Sequence, residues 1–404
     1  MLLACLVAPV TAVGQEPFRE LLDAAIAMRD KAPAPNAEAA QREQRLQPRL
    51  WLSRLLAEGE PAFKGWYSER RTFAAAASVT ATYPFPDAPA ASGTATTAHG
   101  SHGGPLIHFT HFNAAAYHHI RDARLYDHGV IRSTIAGGGT LPLPPKDAMV
   151  ALTGWWPLAG EQATPIPLWD PGAPMRPTGS NGYLNWSRVG LIAPAGSAAA
   201  PGREAVHQFA GRAISDPGAI PRDAFYRIKP SSAHVQALMK NPEFRRAAII
   251  VLGRPMKAGD ELALVAFHLL HLGLDEGLWL TYWWDAQWHG GESGNSAGAS
   301  LPPPWHNYQG DMTFSPVHPR EVDGSPNICF NPWFDAIFPD SGQGNGLKAN
   351  CLSCHLRAGI PAAGRLQVTR GRPDIEQDED TIIYTHLLWS LANPRRSGSG
   401  DGHR

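Results

Sequence analysis

Five consecutive residues concentrate the chemistry of this 404-residue chain: Cys351-Leu352-Ser353-Cys354-His355. Their spacing is C-x-x-C-H, the pattern of c-type haem attachment. Two thiols three positions apart on one helical turn can add to the two vinyl groups at one edge of a haem, and the next residue then sets its imidazole beneath the iron as proximal ligand. Three other uses of the same residues fit less well. A structural zinc site takes four ligands, usually two such pairs, and of the four cysteines, at 5, 329, 351 and 354, only Cys329 is left to help. A thioredoxin-like dithiol follows a buried strand, whereas Gly342 to Asn350 is Gly-rich and polar. A disulfide across two intervening residues is strained. The motif therefore predicts one covalently attached haem c per chain, on Cys351 and Cys354, with His355 on the iron.

The sixth iron ligand is open. All seven methionines, the last of them Met312, precede the motif, and 49 residues follow His355. Met312 and His318 are the nearest upstream candidates, with His268, His271, His289 and His306 behind them; His386 is the downstream one. So short a downstream stretch predicts that upstream residues help wrap the haem and that the chain is one haem-centred unit.

Histidines also gather elsewhere. Seven of the 17 lie between 99 and 128, at His99, His102, His108, His111, His118, His119 and His128, far above an even spread. A second metal there is left open, with the spacing against it. On a strand His108 and His111 point to opposite faces, the helix after Asn113 shows no i, i+4 pair, and no Asp or Glu falls between 99 and 121. His268-x-x-His271 has the same weakness on a strand. The tryptophans, 13 in all, read first as the aromatic packing that a loop-rich protein uses to bury surface.

Around these residues the pattern predicts an α+β fold: an antiparallel β core with peripheral helices and long loops, and a C-terminal haem-bearing segment packed against it. Phe18, Leu21, Leu22, Ala25 and Ile26 give helical spacing over 16–30. Asn36 reads as the N-cap of a second helix that runs on through Leu50–Leu56. Thr72 to Pro84 reads as a strand, and 157–203 as long ordered loops. Ala247–Leu252, Glu261–Leu272 and Gly277–Trp284 suggest an antiparallel meander, although the second run could equally be a buried helix. The expected organisation is a signal peptide over 1–14, a large α+β domain over 15–300, a haem-binding segment over 301–395 integrated with it, and a disordered tail over 396–404.

Export is the reading of the N-terminus. Met1 to Val13 is apolar apart from Thr11, and Ala12-Val13-Gly14 offers a cleavage site before Gln15. The basic n-region is missing, which points to a start farther upstream. Leu2-Leu3-Ala4-Cys5 has lipoprotein-box residue types, but the apolar run continues past Cys5. A periplasmic location follows. Lys and Arg number 35 against 36 Asp and Glu, a net charge of −1, which argues against nucleic acid or anionic membrane as a partner. Beyond the leader no apolar run approaches the roughly 18 residues of a membrane span.

Several stretches resemble a group of exported bacterial monohaem cytochrome c family proteins: Cys329-Phe330-Asn331-Pro332-Trp333-Phe334, Asn350 through His355 with Arg357-Ala358, Leu387-Leu388-Trp389-Ser390-Leu391, Phe112 through Tyr117 with Ile120-Arg121, and Ala266 through His271 followed by Trp279. The resemblance covers most of 110–395, and only C-x-x-C-H is individually specific. It implies covalent haem and a redox role, without naming the redox partner. Three functions compete: an electron-transfer cytochrome, a monohaem oxidoreductase acting on peroxide or a small organic substrate, and a haem-based sensor. Electron transfer comes first because it needs only the visible motif. A single C-x-x-C-H excludes a two-haem peroxidase.

Overall fold

The computed structural model describes residues 16–30, 37–74, 105–170, 186–197, 208–209, 212–213, 218–274, 277–286, 301–314, 328–335, 350–355, 359–361 and 382–384. The leader, the tail, Leu387–Leu391 and the histidines at 99, 102, 289, 318 and 386 lie outside these residues.

The helices are α1 (Glu16–Asp30), α2 (Ala37–Leu55), α3 (Glu69–Phe73), α4 (Ala114–Asp122), α5 (His128–Ala136), α6 (Ser232–Lys240), α7 (Pro242–Leu252), α8 (Pro332–Asp335) and α9 (Cys351–His355). The main strands are β1 (Tyr67–Ser68), β2 (Ile107–Phe112), β3 (Met149–Leu158), β4 (Thr164–Leu168), β5 (Arg188–Ile192), β6 (Gly218–Ile220), β7 (Arg227–Ile228), β8 (Glu261–His271), β9 (Leu278–Trp284) and β10 (Tyr308–Thr313). Seven strands form one antiparallel sheet in the order β10-β9-β8-β3-β2-β1, with β7 also beside β8. A smaller sheet pairs β5 antiparallel to β4 and parallel to β6. The architecture is α+β, with an antiparallel core.

The meander exists, but its members differ from those expected. Glu261–His271 is a strand, resolving the ambiguity of that apolar run, and it continues through β9 into β10. Ala247–Leu252 is the end of α7 instead of a strand. Local stop signals decide this. Asn241 caps the helix by accepting from the Glu243 amide at 2.9 Å, Pro242 sits at its start, and Gly253 closes it at φ 69°. Thr72 and Phe73, expected in a strand, end α3, which the Ser68 hydroxyl caps from the Arg71 amide; 75–84 lies outside the described residues. Within 157–203, expected to be loops, β4 and β5 form instead. Each is short, and the prolines of β4 hid its period.

The register aligns residues in rows across five strands, and side chains alternate between faces. His111–Ala151–Leu269–Leu280–Met312 and Phe109–Thr153–Phe267–Tyr282–Gly310 point to one face. The other face carries Phe112–Val150–Leu270–Trp279–Thr313, Thr110–Leu152–His268–Thr281–Asp311 and His108–Gly154–Ala266–Trp283–Gln309. Helices α1 and α2 cover the first face. Phe18 stacks on fully buried Trp51 at 5.5 Å, Tyr282 donates its hydroxyl to the Pro48 carbonyl at 2.8 Å, and Pro48 closes on Gly310. The second face has its own apolar cluster, in which Phe112, Val150, Leu270 and Trp279 of the sheet meet Ala116 and Ile120 of α4, Ile131 of α5, and Leu352.

Candidate functional site

At 100° per helical residue, Cys351 and His355 of α9 lie about 40° apart, with Leu352 next to them. Leu352 is fully buried in the second-face cluster, which is worth about 1.5–3 kcal/mol for a leucine. It anchors the turn and leaves the reactive arc beside the sheet. The His355 imidazole lies against Trp279, ring centres 4.0 Å apart.

Two asparagines tie the short segments to the second face. Asn350 accepts from the Leu352 amide at 3.0 Å, capping α9, and donates its side-chain amide to the Thr313 hydroxyl at 2.6 Å. Asn331 repeats the arrangement around α8. It accepts from the Trp333 amide at 3.0 Å and donates to the Thr281 hydroxyl at 2.8 Å and the Tyr282 carbonyl at 3.0 Å. Thr281 and Thr313 stand on neighbouring strands of the same face. Both asparagines are buried, so these bonds satisfy amides that would otherwise be costly to enclose. Both fall in stretches that carry the family resemblance, which assigns them no role. Each is an Asx residue directly before a short helical turn, a local capping signal, but the threonine partners are set by strand pairing.

The two segments bring Cys329 to Cys351. Cys329 is buried, and the Cys351 thiol donates to the Cys329 carbonyl at 3.7 Å. The Cys351 contact, then burial, then the nearby Asp311 and Asp335 carboxylates hold the Cys329 thiol well above the usual range. Asp335 keeps some surface as a residue, but its carboxyl is enclosed; burial pushes it up to about 7, against the pull of the Asn331 amide donating at 2.6 Å.

The histidine cluster divides between the faces. His111 lies on the α1/α2 face, bonded to the Thr153 hydroxyl at 3.2 Å and packed on Phe63, and burial lowers it to about 3. His271 accepts from the Gly273 amide at 3.0 Å and meets Trp51 edge-on; burial lowers it to about 4 although Asp147 pulls the other way. His108 and His268 lie on the second face, where both contact the Phe334 ring, at 5.3 and 4.4 Å. Phe334 also fits against Gly154, where an added Cβ would meet its ring at 3.1 Å. Among the described residues, no group of three or more His, Cys, Asp or Glu is placed to hold a metal ion. Met312 is fully buried on the α1/α2 face, while its neighbour Thr313 shares the second face with Trp279 and His355. It therefore points away from the C-x-x-C-H turn.

The chain's own residues fit a covalently bound haem. Cys351 and His355 lie on one turn that Leu352 anchors in the core, and Cys354 would supply the second thiol. On the same face the buried Trp283 indole N–H has no hydrogen-bond partner among the described residues, leaving a donor for a polar group. Among the described residues no helix is long and apolar enough to cross a membrane. No family model, curated protein or solved structure matches the chain.

Proposed function

We propose that the chain is an exported monohaem c-type cytochrome, with haem c attached through Cys351 and Cys354, His355 as proximal ligand, and transfer of single electrons in the periplasm as its role. The observation that carries this reading is the C-x-x-C-H sequence on one helical turn, with Leu352 in the core and His355 against Trp279. When bound, the group supplies a one-electron iron couple. The chain's part is to bind and orient it. Leu352 and the Asn350–Thr313 bond fix the turn, and Trp279 restricts the imidazole that would meet the iron.

Haem staining after denaturing electrophoresis of protein matured in a c-type-competent host tests this, together with a pyridine haemochrome count. One haem that survives denaturation is expected, and alanine at Cys351 or Cys354 should abolish the stain or leave a one-thioether product. Colour lost on denaturation, or two haems per chain, overturns it. Mature protein should begin near Gln15; material that keeps Met1 in the cytoplasm counts against export.

The placement of Met312 favours a second reading. With that methionine on the opposite face, the sixth ligand would be one of the histidines named above or a small molecule, the latter as in a haem oxidoreductase or sensor. A high-spin ferric spectrum selects this reading, and a low-spin one selects the carrier.

A further inference from the structure

We propose that Cys329 and Cys351 form a disulfide in the haem-free chain, and that this bond and haem attachment exclude each other because both use the Cys351 sulfur. The exclusion rests on the haem reading above; the disulfide rests on geometry alone. The Cys351 thiol donates to the Cys329 carbonyl at 3.7 Å, which sets the two cysteines side by side. Each sits directly beside, or two residues before, an asparagine that fixes its segment: Asn350 to Thr313 on β10, Asn331 to Thr281 on β9. Neighbouring strands thus anchor the two short segments that carry Cys329 and Cys351. A Cys351–Cys354 bond would instead span two residues of one turn, with strain.

The difference in exposure orders the steps. Cys351 is half-exposed and Cys329 buried. With glutathione disulfide as oxidant, the Cys351 sulfur attacks one sulfur of the reagent, forming a mixed disulfide and releasing one glutathione. The Cys329 sulfur then attacks the Cys351 sulfur. The Cys351–glutathione bond breaks as the Cys329–Cys351 bond forms, and a second glutathione leaves. Two thiol protons go to the two glutathiones, and two electrons pass from the protein to the reagent. Enclosure beside Asp311 and Asp335 keeps Cys329 in its thiol form, so the second step is the slower.

The test uses the full chain made in a cytoplasm without haem-attachment machinery. It is equilibrated with glutathione redox buffers, quenched by alkylation, digested without reductant and mapped by mass spectrometry. The expected result is loss of two hydrogens and a peptide joining Cys329 to Cys351, while Cys329→Ser leaves Cys351 as a glutathione adduct. Cross-linking of Cys351 to Cys354 or Cys5, or no cross-link at any redox ratio, overturns the proposal. The second arm is haem-loaded protein from a maturation-competent host. There Cys329 should be a free thiol that is alkylated only on denaturation, and Cys329→Ser should raise haem loading under oxidising growth. Unchanged loading overturns the exclusion. Absence of haem from both chains removes the haem reading and the exclusion with it, and leaves the cross-link map to stand or fall separately.

Discussion

The two faces of the seven-stranded sheet are built from the same strands, yet they are closed in different ways. The α1/α2 face is sealed by large side chains, and four of its polar side chains have partners inside the fold: His111 on Thr153, His271 on Gly273, Tyr282 on Pro48, Tyr308 on the Leu264 carbonyl. Its histidines are buried neutral. The second face is covered by α4 and α5 and by turns of four and five residues held by asparagines, and it gathers a thiol on the Cys329 carbonyl, an enclosed carboxyl and an imidazole on an indole. Strand alternation places Met312 and Thr313, one residue apart, in these two environments.

The largest effect separating the faces should come from the core row. Leu269 is fully buried between Ala151 and Leu280. Leu269→Ala should cost about 2–5 kcal/mol in urea unfolding, without a change in the slope against denaturant. A cost below about 1 kcal/mol would mean that the α1/α2 face is loosely packed.

Acid and base should strain opposite faces. His111 and His271 have folded values of about 3 and about 4, below the unfolded 6.5. Their neutral forms are favoured by the fold, so this stability is full above pH 6.5 and is lost as pH falls towards those values. Asp335 is the reverse case. Its folded value of about 7 lies above the unfolded 3.8, so the fold favours the protonated acid and loses stability as pH rises from 3.8 to 7. Asp335→Asn should therefore gain on the native chain by up to about 1.4 kcal/mol per pH unit across that window. Urea midpoints at pH 4.5 and 6.5 check it, and a gap that does not widen with pH rejects an enclosed carboxyl.

A smaller effect should come from the asparagine ties. Asn350→Ala removes a cap and a buried side-chain bond and should cost about 1–2 kcal/mol. Its effect on covalent haem yield should exceed that of Asn331→Ala, since only Asn350 adjoins the C-x-x-C-H turn. Equal yields would show that the turn is positioned by Leu352 alone.

Local patterns carried much of this arrangement. Period-two alternation put His108 and His111 on opposite faces, Asn113 marked the start of α4, and three residues at fixed spacing marked the candidate site. Non-local pairing carried the rest and was not legible. The contact of Cys329 with Cys351, the threonine partners of Asn331 and Asn350, and the face that Met312 occupies all follow from how β8, β9 and β10 register, which no single segment encodes. Ala247–Leu252 was misplaced for a different reason. Its apolar run is too short to show a period, while Asn241, Pro242 and Gly253, which do mark a helix, lie just beyond it.

The smallest effect is the most discriminating. Met312 is the last methionine before the haem motif, and sequence position alone made it a candidate sixth ligand. The β9–β10 register pairs it with Leu280 on the α1/α2 face, whereas Thr313, Trp279 and His355 belong to the other. Met312→Leu nearly conserves volume in a fully buried site, so it should cost less than about 1.5 kcal/mol. It should also leave the ferric and ferrous spectra of haem-loaded protein unchanged, together with the midpoint potential, because a side chain across the sheet contributes no ligand field. A lost low-spin signature, or a large fall in potential at unchanged stability, would place the Met312 sulfur on the iron and overturn the division of the sheet into a packing face and a reactive one.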